Sequence, residues 1–295
     1  MGCAPFDYVT VDSFEHAAQL LRTYGEDAKL LAGGQSLIPM LNLRLLRPSV
    51  LIDLNSVPAH APIITDGELR LSALTRHRSL LEDRLIEAHA PLLPMVAKHI
   101  GNVRVRNRGT IGGSLAHGDP SAELCVAALA VDARVDVLGS SGGRTLNASD
   151  LFVGYLTTSL EPDEMITAVR IPLPAPRTGW AFEEVVRRGS DFAVVAVAAR
   201  VRLSDVDGTI SDVALALGGV GDRAMTVDAP LLTSAVGTDG SDESLDEIAA
   251  MIAAHVEPFS DVRASAAYRR HLVAVLTRRA LAGAIARARG GASHR

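Results

Sequence analysis

The sequence predicts a chain of two units that mixes helices and strands, with a second unit of the α+β class. Its 295 residues suit one or two domains, and a hydrophobic fraction of 48% is ample for a buried core. Three prolines and a glycine fall within residues 172–179, a composition typical of a linker. Beyond this segment strands come first and helices follow, which is the order of an α+β unit. We therefore expect units over residues 1–175 and 176–285, and a frayed tail over residues 290–295.

The first unit is predicted to begin with alternating helices and strands. Residues 12–24 carry an apolar helical face, and Asp12 with Glu15 matches a capping box. A strand over residues 28–32 runs into a glycine pair, and Ser36 is positioned to cap the next helix. Further strands are expected at residues 50–54, 63–65, 68–71, 134–138 and 164–171, and further helices at residues 79–88, 92–99 and 121–130. In the second unit, strands at residues 181–187, 193–203 and 210–217 precede helices that start at Asp228, Ser241 and Ser265.

Two glycine pairs are the most informative feature of the chain. Gly33 and Gly34 precede a glutamine and a serine, and Gly112 and Gly113 later precede Ser114. Paired glycines let the backbone approach a ligand closely, and successive N–H groups can converge on an anion. The first pair lies between a predicted strand and a predicted helix start, where the helix dipole adds a positive end.

Neither glycine pair matches a common nucleotide-binding fingerprint. The first lacks the Gly-Lys-Ser/Thr of a P-loop, and its adjacent glycines do not fit the dinucleotide pattern G-x-G-x-x-G. Each pair taken alone is as well explained by a tight turn. The occurrence of both pairs in one unit favours a diphosphate held between them, as in a dinucleotide cofactor, with Lys29 as a nearby cation.

Charged side chains near the second pair have two explanations each. Arg104, Arg106 and Arg108 alternate, and a solvated strand face is a simpler explanation than a positive strand near a ligand. Glu123 could accept a hydrogen bond from a sugar hydroxyl or interact with a helix dipole. His117 has the chemistry of a base or of a cofactor attachment point, although a lone histidine is more often neither. The sequence contains no acid–base dyad, nucleophile elbow or paired metal spacing, so we expect no catalytic side chain and no metal site.

The composition argues against several classes of function. Net charge is −5, and no basic stretch carries interleaved aromatic residues, which argues against nucleic-acid binding. Cys3 and Cys125 cannot hold an iron–sulfur cluster, which needs about four thiolates, and such low cysteine use fits a reducing cytosol. The first residues lack a basic stretch followed by an apolar core, and the longest apolar runs are too short to span a bilayer. We therefore expect a cytoplasmic protein without a transmembrane segment.

The residues around both glycine pairs resemble a known family. Residues 32–45, AGGQSLIPMLNLRL, and residues 110–123, TIGGSLAHGDPSAE, resemble the two FAD loops in the medium subunit of molybdenum hydroxylases. That family includes the flavoprotein subunit of aerobic carbon monoxide dehydrogenase and the flavin domain of xanthine dehydrogenase. The resemblance covers nearly the whole chain, because residues 182–192 resemble the start of the family's C-terminal domain and residues 268–269 its last segment.

The resemblance implies an α+β fold in which a two-lobed FAD-binding domain of the vanillyl-alcohol-oxidase (PCMH) type is followed by a small antiparallel sheet with helices. By position, the FAD diphosphate would be bound by Lys29, Leu30, Leu31, Ala32, Gly33, Gly34, Gln35, Ser36, Thr110, Ile111, Gly112, Gly113 and Ser114. Glu123 would contact the sugar-like chain, Ile166 would pack near the isoalloxazine, and Ile100 would lie close to the cofactor's other end. Glu184 stands where family members often carry a lysine that approaches the flavin, so that contact is not carried over. The cysteine-bearing insertion of one subgroup is absent from the sequence.

The resemblance also implies an oxidoreductase whose FAD relays electrons. A large molybdopterin subunit would hydroxylate the substrate, a small [2Fe-2S] subunit would carry the electrons, and this chain's FAD would pass them to an external acceptor. A dimer of such heterotrimers is expected, and no side-chain base is needed because the flavin supplies the redox chemistry. The alternatives are a free-standing FAD-dependent oxidoreductase acting directly on a small molecule and a non-enzymatic nucleotide-binding or assembly protein. The substrate and the acceptor, whether NAD, oxygen, a quinone or a cytochrome, stay open at this point.

Overall fold

Three β-sheets covered by helices and a separate two-stranded hairpin form the framework of residues 2–290, the part of the chain that this computed structural model describes. Strands and helices are mixed along the whole of that range, as the sequence predicts. Apart from Gly290, the predicted frayed tail lies outside the described residues.

The first lobe alternates strands and helices around a small parallel sheet. Its elements are β1 (Asp7–Thr10), α1 (Phe14–Tyr24), β2 (Ala28–Leu31), α2 (Leu37–Asn42) and β3 (Val50–Asp53). Strand β3 lies between β1 and β2 and is buried along its length, which is typical of a parallel sheet covered on both faces. The predicted capping box of α1 is wrong. Ser13 has the extended backbone of an N-cap, and its hydroxyl accepts a hydrogen bond from the backbone N–H of His16 at 3.2 Å.

The second lobe is an antiparallel sheet with one helical face. Its first elements are β4 (Ile63–Thr65), β5 (Glu68–Ser72), α3 (His77–Glu82), α4 (Arg84–His89), α5 (Leu92–Ala97), α6 (Val103–Arg108), α7 (Ile111–His117) and α8 (Glu123–Ala130). The remaining elements are β6 (Arg134–Gly139), β7 (Gly142–Asn147), α9 (Ala148–Leu151), β8 (Phe152–Gly154), β9 (Thr157–Thr158) and β10 (Met165–Pro172). The sheet order is β4-β5-β10-β6-β7, and β8 pairs with β9 as a separate hairpin. Leu71 and Val135 pack into the core on one face of the sheet, whereas Arg170 pairs with Asp136 on the other.

Two segments of the second lobe differ from the prediction. The arginines expected on a strand lie on helix α6, because the side chain of Asn102 accepts hydrogen bonds from the backbone N–H groups of Arg104 and Val105 and starts a helix there. The second glycine pair is not a turn but the first turn of helix α7, capped by Thr110. The alternation of valine and arginine has the two-residue period of a strand, but the segment is a helix because Asn102 caps it.

The C-terminal unit has its sheet first and its helices last. The strands are β11 (Thr178–Val186), β12 (Ala193–Leu203), β13 (Ile210–Gly218) and β14 (Met225–Thr226), and the helices are α10 (Ala229–Leu232), α11 (Asp242–His255) and α12 (Ala266–Ala288). The four strands form one antiparallel sheet in chain order. Helix α12 packs against β11 and β12, and α11 packs against α12. This order of elements agrees with the predicted α+β unit.

Helix α8 joins the second lobe to the C-terminal unit. Every residue from Glu123 to Ala130 is buried, and the helix packs against β12 and β13 as well as against α5. Alanines of the C-terminal sheet, including Ala196 and Ala216, belong to the same buried cluster as the core of the second lobe. Small side chains allow this close approach of helix and sheet, so the second lobe and the C-terminal unit share one buried cluster.

Candidate cofactor-binding site

A cleft between the first and second lobes brings the two glycine pairs together. Its larger compartment has a volume of about 440 Å³ and its smaller compartment about 250 Å³. Both compartments are lined by Gln35, Ser36, His77, Ser114 and His117. Two connected spaces of this size fit an elongated ligand, since ligand pockets span roughly 300–1,000 Å³.

The first glycine pair leaves backbone donors available. Gly34 has a φ of +71°, in the left-handed region that favours glycine. Among the hydrogen bonds of residues 2–290, none uses the backbone N–H of Gly33, Gly34, Gln35 or Ser36 as donor. Ser36 stands at the start of α2 but makes no capping hydrogen bond, so its hydroxyl is not used for the predicted cap. Such a run of N–H groups in a tight bend can bind an anion.

The backbone donors of the second glycine pair are already used within the protein. Thr75 accepts a hydrogen bond from the backbone N–H of Ile111 at 3.0 Å, and Ala73 from that of Gly112 at 2.8 Å. The Thr110 hydroxyl accepts a hydrogen bond from the backbone N–H of Gly113 at 3.1 Å. The expectation of free N–H groups therefore holds only for the first pair, and the second pair contributes a wall of the cleft.

Close packing explains why the two segments need glycine. A Cβ on Gly33 would lie 2.7 Å from the Cα of Gly109, just before the second segment. A Cβ on Gly112 would lie 2.5 Å from the Cβ of Ala73 and 2.8 Å from its carbonyl oxygen. These glycines let two parts of the protein chain pack closely against each other. From the sequence, glycine was expected only where the backbone approaches a ligand.

His77 supports the second segment from beneath. The residue is only 4% exposed, and its Nε2 lies 3.0 Å from the carbonyl oxygen of Thr110 and 3.1 Å from Oγ of Ser114. Because a carbonyl oxygen only accepts, Nε2 carries the proton and donates to it. Burial lowers the pKa of His77 to about 4, so the ring is neutral near pH 7. This role could not be predicted from the sequence, since a lone histidine has no diagnostic spacing.

The smaller compartment combines the second lobe with the C-terminal unit. Ile100 and Glu123 line it from one side, and the loop residues Ser190, Asp191 and Phe192 line it from the other. The pKa of Glu123 is raised to about 7, chiefly by burial and in addition by the charge of Glu184, while a backbone hydrogen bond and the imidazole of His99 act to lower it. This compartment therefore contains a carboxyl group that is poised between its neutral and charged forms near pH 7.

Most of the predicted site residues meet in this cleft. The larger compartment is lined by Lys29, Leu30, Ala32, Gly33, Gly34, Gln35, Ser36, Thr110, Gly112, Gly113, Ser114 and Ile166. Ile100 and Glu123 line the smaller one. Leu31 and Ile111 line neither, because their side chains are buried in the hydrophobic core. The sequence missed an apolar wall of the larger compartment, formed by Leu37, Met40, Leu46, Leu54, Leu156, Leu160 and Met165.

Residues 2–290 contain neither a cluster of metal-ligating side chains nor a membrane-spanning helix. Within that range no group of three or more His, Cys, Asp or Glu side chains could hold a metal ion. No helix in the same range is both long enough and apolar enough to cross a membrane.

The fold places a cleft with unused backbone N–H groups between two lobes, a shape and chemistry suited to an elongated, anionic ligand, and comparisons with known proteins show the family. Residues 4–174 match the family described as the FAD binding domain in molybdopterin dehydrogenase, and residues 180–284 match the CO dehydrogenase flavoprotein C-terminal domain. The chain belongs to this family. It is a flavoprotein oxidoreductase subunit of the molybdenum hydroxylase type, with FAD as its cofactor.

Similar proteins cover nearly the whole chain. The alpha subunit of the 6-hydroxypseudooxynicotine dehydrogenase complex of Paenarthrobacter nicotinovorans is 40% identical, over 96% of each chain. A chain of carbon monoxide dehydrogenase from Hydrogenophaga pseudoflava superimposes with a TM-score of 0.93 at 36% identity, covering 97% of this chain and 99% of that one. A chain of quinoline 2-oxidoreductase from Pseudomonas putida 86 superimposes with a TM-score of 0.91 at 33% identity, covering 98% and 99%. The family resemblance of the two glycine segments is thus confirmed.

Proposed function

We propose that this chain is the electron-transfer subunit of a molybdenum hydroxylase. A large molybdopterin subunit would supply electrons to the iron–sulfur clusters of a small [2Fe-2S] subunit. The FAD of this chain would take the electrons from those clusters and pass them to an external acceptor. We further propose a PCMH-type first domain over residues 1–175, a C-terminal domain over residues 176–285, and a cytoplasmic complex built as a dimer of heterotrimers. One observation carries the cofactor assignment to this cleft: the four successive residues Gly33 to Ser36, whose backbone N–H groups donate no hydrogen bond within residues 2–290, line the larger compartment together with Thr110, Gly112, Gly113 and Ser114.

The residues of the cleft fit each part of FAD. The free N–H groups of the first segment would bind the diphosphate, and Lys29 on β2 would add the nearby positive charge. The Ser36 and Ser114 hydroxyls border both compartments and would bind the phosphate or sugar oxygens. Ile166 lies in the larger compartment and Ile100 in the smaller, so the two ring systems would lie on either side of the diphosphate.

When bound, FAD supplies the electron-transfer chemistry, and the chain's own residues bind and orient it. His77 stays neutral at physiological pH and therefore positions the second segment without adding charge. The apolar wall around Leu54 and Met165 excludes water from one ring system. Glu123 presents a carboxyl group to the other compartment. None of these roles requires a side chain to take a proton from an organic substrate.

The two lysines of the chain allow the diphosphate site to be tested with a matched control. The sequence has two lysines, Lys29 in the cleft and the exposed Lys98 after α5. Lys29→Met should weaken FAD binding about tenfold or more, because a charged hydrogen bond contributes roughly 1.5–3 kcal/mol. Lys98→Met removes the same charge away from the cleft and should leave the FAD dissociation constant unchanged. Flavin fluorescence titration measures both, and equal affinity in the two variants would contradict the assignment of the diphosphate to this cleft.

Electron transfer is tested with the partner subunits. The complex, co-expressed from adjacent genes and purified, should show bleaching of the flavin absorbance when the organic substrate of the large subunit is added. The isolated chain loaded with FAD should show no bleaching with the same substrate. Steady turnover of alcohols, amines or the complex's own substrate by the isolated chain would favour the free-standing oxidoreductase instead.

A further inference from the structure

An ion pair joins the second lobe to the C-terminal unit near the Glu123 end of the cleft. His99 follows helix α5, and Glu184 lies on strand β11; Nδ1 of His99 is 2.9 Å from Oε1 of Glu184. The imidazole also stacks edge-on against Phe182, with 5.2 Å between ring centroids. The next residue after His99 is Ile100, which lines the smaller compartment together with Glu123. The pair therefore lies directly behind the wall of the proposed FAD site.

Glu184 is an unusual residue for a purely structural pair. Its side chain is only 6% exposed, and its second carboxylate oxygen, Oε2, has no hydrogen-bond partner among the described residues. A buried carboxylate with one oxygen unpaired is costly, so a solely structural role would favour a smaller or an apolar side chain. His99, by contrast, is 41% exposed, so it can exchange protons with solvent.

More negative than positive groups surround this end of the cleft. The titratable groups that line the smaller compartment or act electrostatically on Glu123 and His99 are His77, His99, His117, Asp119, Glu183, Glu184 and Asp191. Burial lowers the pKa of His77 and of His117, so both are neutral near pH 7. The hydrogen bond with Glu184 raises the pKa of His99. The raised pKa favours the protonated imidazole, whose positive charge would offset part of the negative charge around Glu123. A second positive group is the guanidinium of Arg106, which donates hydrogen bonds to the carbonyl oxygens of Ile100 and Gly101 in the lining of this compartment.

We propose that His99 and Glu184 are positioning residues that set the protonation of Glu123, so that the Glu123 carboxyl donates a hydrogen bond to FAD when neutral and only accepts one when ionised. This inference rests on the proposed FAD site. The proton that Glu123 gains or loses is exchanged with solvent, and no electron moves in that step. The affinity for FAD then depends on pH because Glu123 gains or loses a proton. His99 and Glu184 shift the midpoint of this pH dependence in opposite directions.

Glu184 and His99 have opposite effects on the pKa of Glu123, and a purely structural pair would not show such opposite effects. The negative charge of Glu184 favours neutral Glu123, whereas the positive charge of His99 favours the ionised form, and the Glu184 effect is the larger of the two. Glu184→Gln should therefore shift the midpoint of the pH dependence toward acid, and His99→Asn should shift it toward alkali. The two shifts should be of opposite sign, with the larger shift in Glu184→Gln.

The experiment measures the FAD dissociation constant of the full chain by flavin fluorescence from about pH 5 to about pH 9, the range that brackets carboxyl and imidazole titration here. Wild-type affinity should change with a midpoint near the pKa of Glu123, about 7. Glu123→Gln should abolish the pH dependence. Glu183→Gln is the matched control, because successive strand residues point to opposite faces, and it should leave the midpoint close to the wild-type value. Shifts of the same sign in Glu184→Gln and His99→Asn, or a persistent midpoint in Glu123→Gln, would overturn the inference.

A second measurement separates this inference from the proposed function. In the FAD-free chain, the imidazole protons of His99 can be titrated by NMR, and Glu184→Gln should lower the pH at which that ring loses its proton, while Glu183→Gln should lower it much less. An unchanged His99 titration in Glu184→Gln would refute the coupling whether or not FAD binds. Failure of the wild-type chain to bind FAD, with the His99 shift present, would contradict the proposed site only.

Discussion

The two glycine segments are alike in sequence and different in structure. Both place paired glycines near a serine, yet Gly33 and Gly34 sit in a bend with unused backbone donors, whereas Gly112 and Gly113 begin a helix whose donors are satisfied. The first segment is suited to bind an anion. The second is braced by Ala73, Thr75, Thr110 and His77 and forms a rigid wall opposite.

Glycine pairs can therefore serve one site in two ways. In the first segment the missing side chain allows a left-handed bend at Gly34. In the second it allows helix α7 to pack on Ala73. Substitutions should therefore separate the segments: damage to the second should lower the stability of the protein, and damage to the first should lower its affinity for FAD.

The largest effect is expected at Gly112. In Gly112→Val the new Cβ would meet backbone as well as side-chain atoms of Ala73, which cannot move aside cheaply. We expect the free energy of unfolding to fall by about 3 kcal/mol or more, since this is overpacking against backbone. Chemical denaturation of the FAD-free chain measures it. Gly143→Val on β7, where only ordinary contact with Val137 is made, should change stability little, and equal losses in the two variants would count against the wall role of the second segment.

Acid should loosen the second segment through His77. The ring has a pKa of about 4 in the folded chain against an ordinary value of 6.5, so the unfolded chain binds a proton that the folded chain does not bind between these values. Its contribution to stability is complete above about pH 6.5 and falls, by up to about 3 kcal/mol, as the pH approaches 4.

Glu123 contributes to stability with the opposite pH dependence, so its contribution must be distinguished from that of His77. Its pKa is raised from 4.5 to about 7, so its contribution is greatest at acid pH and is lost as the pH rises through that range. The useful quantity is therefore the difference in free energy of unfolding between wild type and His77→Gln, which should shrink as the pH falls from about 6.5 to about 4. A difference that does not depend on pH would show that His77 titrates normally.

The sequence was sufficient for the order of the main strands and helices, but not for several caps and short segments. The composition change after residue 172, the order of strands and helices, and the two glycine segments predicted the architecture and most lining residues of the cleft. The predicted cap at Ser36 and the strand at Arg104 to Arg108 were wrong, because capping and tertiary contacts decide such short segments.

The remainder of the site depends on contacts between residues that are distant in the sequence. His77 reaches Thr110 and Ser114 only because β5 and α7 are brought together, and no spacing rule connects them. The apposition of His99 and Glu184 likewise needs the C-terminal sheet to pack against the second lobe. One chain without an alignment carries no direct signal for such pairs.

A smaller effect on stability, with a larger effect on FAD, is expected at Gly34. In Gly34→Ala the left-handed φ of +71° costs about 1–2 kcal/mol for an L-residue, and the new methyl lies close to Ile38 and Leu31. The relaxed bend would misalign the N–H groups that bind the diphosphate, so affinity should fall by more than stability does. Gly67→Ala is the matched control, because Gly67 has a φ of +76° in a hairpin turn with nothing within 4 Å of its added Cβ. Both variants should unfold slightly more easily than wild type, and only Gly34→Ala should bind FAD weakly in a fluorescence titration. Equal affinities for FAD in these two variants would mean that the first glycine segment, like the second, serves packing alone.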